Sequence, residues 1–248
     1  MSITLGLGRL GNQMIRNFAV SIIAEKHDLY VDYVNFDLIQ LLGISLFVGK
    51  NKYNNTIQLN DDNYFDILNK TELYSNIDPN QHFFQKNCII DVLYSYLHNE
   101  NIKTTIMNKN PYNNKYNNNN DIFIHIRLTD VTQYNPGLEY YMNAINTINN
   151  RTNVNIENIY ISSDDINHEI IQQLVNKHKN VILINYNEIE TIQFGSTCKN
   201  IILSHGTFSA MIGYLSFFSN IFYPKYGSLN TRWYGDTFSI HGWNEVIY

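Results

Sequence analysis

Cysteine is almost missing from this chain: the 248 residues hold only Cys88 and Cys198. Two distant thiols in apolar settings build neither a cysteine metal cluster nor a disulfide framework, so both are expected to be reduced, buried hydrophobes. Basic residues are also scarce. With 17 Lys plus Arg against 22 Asp plus Glu, the formal net charge is -5, which argues against a surface that coats nucleic-acid phosphates. Any anionic ligand must meet a local site. No run approaches the roughly 20 apolar residues of a membrane-spanning helix, and the opening Met-Ser-Ile-Thr-Leu-Gly has neither the basic nor the apolar region of a secretory leader. The expectation is a cytoplasmic protein with no nucleic acid and no membrane span among its partners.

What is present is core-forming material. A hydrophobic content of 44% excludes general disorder, and the length suits one large domain or two lobes of about 100–120 residues. Asn, Ile, Tyr and Lys are abundant in the way AT-rich codons produce, so the Asn117–Asn120 run reflects base composition as well as a polar break. Residues 108–120 hold Pro111 and almost no core-forming side chains, which predicts an interlobe linker or long surface loop. The expected domains are therefore 1–110 and 121–248.

The first half reads as α/β with poorly marked boundaries. Residues 2–7 form a short apolar strand, Gly8–Gly11 turn the chain, and Met14, Ile15, Phe18, Ala19, Ile22 and Ile23 recur at helical spacing. Leu29–Tyr33 reads as the next strand, and 36–42, 55–59, 64–68 and 89–97 are short apolar elements of undefined type. The second half alternates more clearly: strands are predicted at 121–127, 157–162, 180–185 and 200–204, and helices at 137–149, 165–177 and 207–217. Leu138, Tyr141, Met142, Ile145 and Ile148 share one helical face, as do Ile166, Ile170, Ile171, Leu174 and Val175. Such alternation implies a mostly parallel sheet, whose ligands bind beyond the carboxyl ends of its strands.

Four segments there carry chemistry. Gly6-Leu7-Gly8-Arg9-Leu10-Gly11 with Asp32 fits a dinucleotide fingerprint, and Gly8-Arg9-Leu10-Gly11-Asn12-Gln13 fits equally a helix start armed with a guanidinium and amides for sugars or phosphates. Both readings stand, beside a purely structural turn. His125 and Arg127 alternate onto one face of a strand that runs into Asp130, so Arg127 can offer its planar fork to a diphosphate, or pair with Asp130 for structure alone. Ser162-Ser163-Asp164-Asp165 can bind a base or ribose, or cap a helix. Ser204-His205-Gly206-Thr207-Phe208-Ser209 is a strand end leading into a helix, a phosphate cradle or a plain cap.

Taken in order, Gly-Arg-Leu-Gly-Asn-Gln, His-x-Arg-x-x-Asp, Ser-Asp-Asp and Ser-x-x-Thr-Phe-Ser resemble the α-1,2-fucosyltransferase family, glycosyltransferase family 11. Leu138–Ile145 is similar to that family's Tyr-Tyr-x-x-Ala-Ile helix, and the resemblance spans about residues 3–225. It implies a GT-B-like α/β fold, two Rossmann-like lobes facing a cleft, and inverting transfer of fucose from GDP-fucose, or of another nucleotide sugar, to a hydroxyl of a glycan acceptor. On this resemblance Arg127, Asp130 and Asn12 match catalytic positions. Gly8, Arg9, Gly11, Gln13, His125, Ser163, Asp164, Asp165, Ser204, Gly206, Thr207, Phe208 and Ser209 match positions that hold the nucleotide sugar. The donor lobe is the second, the acceptor lobe the first. One departure stands out: where the family reads His-x-Arg-Arg-x-Asp, Leu128 replaces the second arginine and removes its charge and donors. The chain is also compact for the family, which implies a reduced acceptor lobe.

No strand-terminal Asp-x-Asp occurs, and Asp164-Asp165 lacks the spacing of a manganese or magnesium site, so neither metal nor other cofactor is expected. Asp130 and Glu139 are the nearby carboxylates for proton acceptance. The rival readings are an NAD(P)-dependent oxidoreductase using Gly6, Gly8, Gly11 and Asp32, and a non-catalytic glycan-binding protein of the same fold. The aromatic clusters Tyr94–Tyr96, Trp233–Tyr234 and Trp243 are assigned to core packing.

Overall fold

A computed structural model describes residues 1–151, 155–225 and 236–248; Trp233–Tyr234 lie outside them. The chain divides into two compact units. Met1–Lys109 forms the first, joined by Asp236 and Thr237, and the second starts at Asn110 and includes Phe238–Tyr248.

The first unit carries β1 (Ser2–Ile3), α1 (Leu10–His27), β2 (Val31–Asp32), α2 (Phe36–Leu41), β3 (Thr56–Gln58), α3 (Tyr64–Leu68), β4 (Asn76–Asp78), α4 (Asn87–Leu97) and α5 (Glu100–Lys109). β1 pairs parallel with β2, and β3 with β4. Ile77 N–H donates to Ser2 Oγ at 2.9 Å, which ties the two ladders together. The expected strand 2–7 shrinks to Ser2–Ile3, because Leu5 is exposed and the chain then enters the glycine turn. α1 follows its apolar period: Met14, Ile15, Phe18, Ala19 and Ile23 are buried, while Ile22 is half-buried. Cys88 is exposed, contrary to expectation, because it sits on the outer face of α4 opposite buried Ile89, Ile90 and Leu93. Cys198 is buried, and burial pushes its thiol pKa up.

The second unit carries β5 (Ile122–Ile126), α6 (Gly137–Arg151), β6 (Ile159–Ser163), α7 (Glu169–Lys177), β7 (Val181–Leu183), α8 (Glu188–Gly195), β8 (Asn200–Ile202), α9 (Thr207–Tyr214), β9 (Asn220–Pro224) and β10 (Asn244–Val246). Its six strands are all parallel in the order β10-β9-β8-β5-β6-β7. From β5 the chain winds outward through β6 and β7, then returns to the other side of β5 and winds outward again. That is the doubly wound order, and its direction reverses between β5 and β8. β5 reads Ile-Phe-Ile-His-Ile and is buried at every position. A strand covered on both faces requires such a run, and its β-branched residues suit the pleat. α6 lays Tyr140, Tyr141, Ala144, Ile145 and Ile148 on the sheet, with Leu138 and Met142 packed at the margin. Full burial of each such aliphatic contributes about 1.5–3 kcal/mol.

The Asn-rich stretch after Asn110, expected as an interlobe linker or a long surface loop, is a largely exposed or half-buried segment that is tied down at several points. Asn110 Nδ2 donates to Gln193 O at 2.8 Å and to Tyr116 OH at 3.0 Å, Asn119 Nδ2 to Thr197 O at 3.0 Å, and Lys115 Nζ meets Asp121 at 2.7 Å. Asparagine amides that satisfy backbone groups hold this segment against the second unit. α7 begins at Glu169 rather than 165: His168 caps it by accepting from Ile170 N–H, which leaves Ile166 before the helix and exposed, and Val175 exposed as well. α8 went unassigned in the sequence, although Asn187 and Glu190 form a complete capping box at its start. Among the described residues, no helix is long and apolar enough to cross a membrane.

Candidate active site

Arg127 leaves the carboxyl end of β5, and Ser204-His205-Gly206 leaves the carboxyl end of β8, so both flank the point where the winding reverses. Crevices of this kind are where open parallel sheets bind ligands. The Arg127 guanidinium is held in a fork-to-fork pair: Nε donates to Asp130 Oδ1 and Nη2 to Asp130 Oδ2, both at 2.7 Å. Its side chain is only 12% exposed. Nη1 points at Gly206, where a Cβ would fall within collision distance of it. Gly206 has φ 92° and ψ 161°, a conformation essentially confined to glycine, and it opens α9 with no side-chain cap. The guanidinium therefore lies against the start of a helix whose first N–H groups gain no side-chain partner from residue 206.

The surrounding residues fix this geometry. Asn135 Nδ2 donates to Arg127 O at 2.8 Å while its Oδ1 accepts from Gly137 N–H. Ser204 Oγ accepts from Arg127 N–H at 3.3 Å and from Tyr141 OH at 3.0 Å. Asp164 accepts from Leu128 N–H and from Thr129 Oγ1, both at 2.6 Å. Between Asp130 and the short turn at 132–134, Val131 adopts φ 49° and ψ 35°, a strain of order 1–3 kcal/mol for a β-branched residue. Strain of this kind persists only where neighbours over-determine the loop, as they do here.

Several expected ligand residues turn out to be occupied with one another. Asp130 has both oxygens on Arg127, so it holds the guanidinium rather than standing ready for a proton. Asp164 clamps the 128–129 segment, and that, with burial opposing it, moves its pKa below the usual value. Ser163 and Asp165 close their own turn: Asp165 N–H donates to Ser163 Oγ at 3.1 Å, and Asp165 Oδ1 accepts from Asn167 N–H at 3.0 Å. Ser204 is fully buried. Leu128, where the sequence resemblance leads one to expect a second arginine, packs into the core cluster of the second unit, where an arginine would be desolvated. Thr207 and Ser209 are buried in the first turn of α9, and Phe208 is half-buried beside the His125 ring at 5.1 Å. Glu139 is exposed in the first turn of α6. Sequence reasoning missed Tyr141, Asn135 and His205 as parts of the site. The Tyr-Tyr pair read only as helix face, yet Tyr141 uses its hydroxyl on Ser204.

In the first unit, the residues of the early glycine loop cluster at the start of α1. Arg9 is its exposed N-cap residue, and Gly11 is buried in its first turn. Gln13 Nε2 donates to Gly8 O at 2.7 Å and its Oε1 accepts from Asn35 Nδ2, while Asn12 Oδ1 accepts from Gln85 Nε2 at 3.0 Å. Gly8, at φ 73°, leaves no room for a Cβ against the Asn12 side chain. Gly6 has ordinary contact distances, the nearest being Val34 at 3.6 Å, so nothing there requires glycine.

No protein-family model and no curated protein sequence matches the chain. Solved structures do match. NodZ, an alpha-1,6-fucosyltransferase crystallised and soaked with GDP-fucose, superimposes with a TM-score of 0.54 at 10% identity, over 86% of this chain and 91% of that one. The fold is α/β of the GT-B type. At this identity the likeness establishes architecture, so the chemistry has to rest on the site's own residues.

Two buried histidines set the electrostatics of that site. His125 Nδ1 lies 2.6 Å from Ser209 Oγ. Burial pushes its pKa down to about 3, with Asp164 opposing and His205 and Arg127 assisting. Burial likewise lowers His205 to about 4, Arg127 assisting and Asp130 and Asp164 opposing. Both rings are neutral at pH 7. Because their folded values lie below the unfolded value of about 6.5, the unfolded chain takes up protons first as pH falls. Their contribution is complete above pH ~6.5 and is withdrawn as pH falls toward 4. Between pH 7 and 5, denaturant unfolding of the second unit is expected to lose about 2 kcal/mol per histidine. His125→Gln and His205→Gln should each flatten that slope, and a wild-type stability unchanged at pH 5 would contradict the neutral, buried assignment.

Proposed function

We propose that the chain is an inverting glycosyltransferase that moves fucose from GDP-fucose to a hydroxyl of a glycan acceptor, in the manner of the α-1,2-fucosyltransferases. One observation carries the reading: a guanidinium locked by Asp130 lies against the uncapped start of α9 at the winding reversal of a doubly wound sheet. The structural neighbour, a fucosyltransferase soaked with GDP-fucose, supports the same class.

As the bond between the anomeric carbon and the diphosphate breaks, negative charge grows on the departing phosphate. Arg127 and the N–H groups of Thr207, Phe208 and Ser209 are preorganised donors for that charge. Asp130, Ser204, His125 and Asp164 act behind them as positioning residues. The acceptor hydroxyl attacks the opposite face of the sugar through an oxocarbenium-like transition state, and Glu139 is the carboxylate to which its proton is assigned. The start of α1, with Arg9, Asn12 and Gln13, is assigned to the sugar-facing side of the first unit, and the second unit to the nucleotide. The reaction needs no metal on this reading, so excess chelator should leave turnover unchanged.

The test is a screen of nucleotide sugars. GDP is expected to stabilise the protein by about 2.7 kcal/mol at a hundred times its dissociation constant, read as a shift in unfolding midpoint, and GDP-fucose to be hydrolysed slowly without acceptor. Stabilisation by NAD or NADP alone would hand the glycine loop to an oxidoreductase. Glycan binding without nucleotide release would make the protein a lectin.

A further inference from the structure

Backbone pairing between β5 and β8 ends at Ile124 and Ile202, although β5 stays paired with β6 as far as Ile126 and Ser163. The two strands therefore part at the winding reversal, where the crevice opens. A side chain takes over from the ladder there: Ser204 Oγ accepts from Arg127 N–H at 3.3 Å. Arg127 is the first residue past β5, so its main chain is steadied across the gap by a serine hydroxyl.

That hydroxyl is fully committed. It has one proton to give and two lone pairs to fill. Tyr141 OH donates to it at 3.0 Å and Arg127 N–H takes the other lone pair, so the Ser204 proton is left for His205 Nδ1, 3.3 Å away. His205 must then carry its own proton on Nε2, which agrees with the neutral ring that burial enforces. Every direction in the chain from Tyr141 through Ser204 to His205 is fixed. All three residues are fully buried, so a missing member leaves a polar atom unpaired rather than solvated.

Tyr141 bears on the Arg127 carbonyl side as well. Burial pushes the Tyr141 pKa up, and hydrogen bonds with the side chains of Ser204 and then Asn135 oppose the rise. Asn135 is the residue that donates to Arg127 O at 2.8 Å. Ser204 grips the Arg127 N–H and Asn135 its carbonyl, and both meet the Tyr141 hydroxyl. The preceding tyrosine offers a contrast. Tyr140 is equally buried, but its hydroxyl donates to Leu203 O at 2.7 Å and to Phe222 O at 3.2 Å, on the β8–β9 side of the sheet. We infer that Tyr141 is a positioning residue for Arg127, acting through Ser204 and Asn135 on the main chain that carries the guanidinium. The inference rests on the assignment of Arg127 to the departing diphosphate.

The experiment follows release of GDP from GDP-fucose by the full chain, well below every variant's unfolding midpoint, together with the NMR signal of Arg127 Nε–H in protein isotopically labelled at arginine. Tyr141→Phe removes a hydroxyl and keeps the ring. It should lower kcat about tenfold with KM within about twofold, since small misplacements of a preorganised group are costly. Tyr140→Phe should lower the unfolding midpoint too, because buried carbonyls lose a donor, yet leave kcat within about twofold. Added to Arg127→Ala, Tyr141→Phe should cost no further rate, because the group it positions is gone. The Arg127 Nε–H resonance should shift in Tyr141→Phe and stay in place in Tyr140→Phe. Equal kcat losses in the two tyrosine variants, or rate losses that multiply with Arg127→Ala, would reduce Tyr141 to general support of the sheet. If the wild-type protein releases no GDP, the transferase reading fails, and the resonance alone decides whether Tyr141 sets the guanidinium: a signal unmoved by Tyr141→Phe overturns it.

Discussion

Arg127→Ala is expected to lower turnover of the nucleotide-sugar donor by about 10²–10³, read well below the variant's own unfolding midpoint, because the loss also leaves Asp130 without its bidentate partner. The size follows from what the side chain is arranged to do. Its Nε and Nη2 are spent on Asp130, so the pair fixes the plane of the guanidinium, and Nη1 lies against the start of α9. A donor held in place before the reaction needs no reorganisation when charge develops on the leaving diphosphate. Arg127→Lys should recover little of the loss, because an ammonium cannot make both bonds to Asp130 and places its charge elsewhere. Asp130→Asn keeps one acceptor oxygen and should fall between wild type and Arg127→Ala. The signature to look for is a fall in kcat larger than the rise in KM, since the contact is assigned to the transition state. An Arg127→Ala enzyme within threefold of wild type would remove the guanidinium from the reaction and leave the Arg127–Asp130 pair a structural one.

The parts of this fold that were legible in the sequence are those where one physical signal dominates. β5 is a continuous apolar run because both its faces are covered, and α6 shows its buried stripe at helical spacing because it faces a single layer, whereas α1 is buried on nearly every side from Met14 to Ser21 and only its apolar subset registered. The short strands of the first unit carry no such signal: two or three residues, as in Ser2–Ile3 or Val31–Asp32, are too few for alternation to register. β9 and β10 were not assigned, because Asn220 and Asn244 open strands whose pairing depends on tertiary neighbours. The segment after Asn110 shows the opposite failure. Composition marks it as a linker or surface loop, yet Asn110 and Asn119 turn their amides onto backbone carbonyls, and composition cannot distinguish a satisfied amide from a solvated one. At the site, position along the strands was legible and partnership was not. Arg127 and Gly206 stand at strand ends, as the alternation implied, but which carboxylate faces ligand and which faces the protein is decided by contacts between distant segments, such as Asp164 with Leu128.

Gly206→Ala should be nearly as damaging as the loss of Arg127, although alanine adds a single methyl group. At φ 92° and ψ 161° the backbone of residue 206 sits where a Cβ costs about 1–3 kcal/mol, and that methyl group would occupy the space of Arg127 Nη1. Two relaxations are open. The guanidinium can swing away, which breaks the pair with Asp130, or residue 206 can leave its conformation, which displaces the first turn of α9 and with it Ser209 from His125. Either one separates the two groups assigned to the departing diphosphate, so turnover should fall by about 10². A double-mutant cycle separates this from general damage. If Gly206→Ala acts through the guanidinium, Arg127→Ala combined with Gly206→Ala should be little slower than the slower single variant, because the interaction is already gone. Rate losses that multiply would mean that Gly206 serves the helix alone and that the close approach of Arg127 to α9 carries no chemistry.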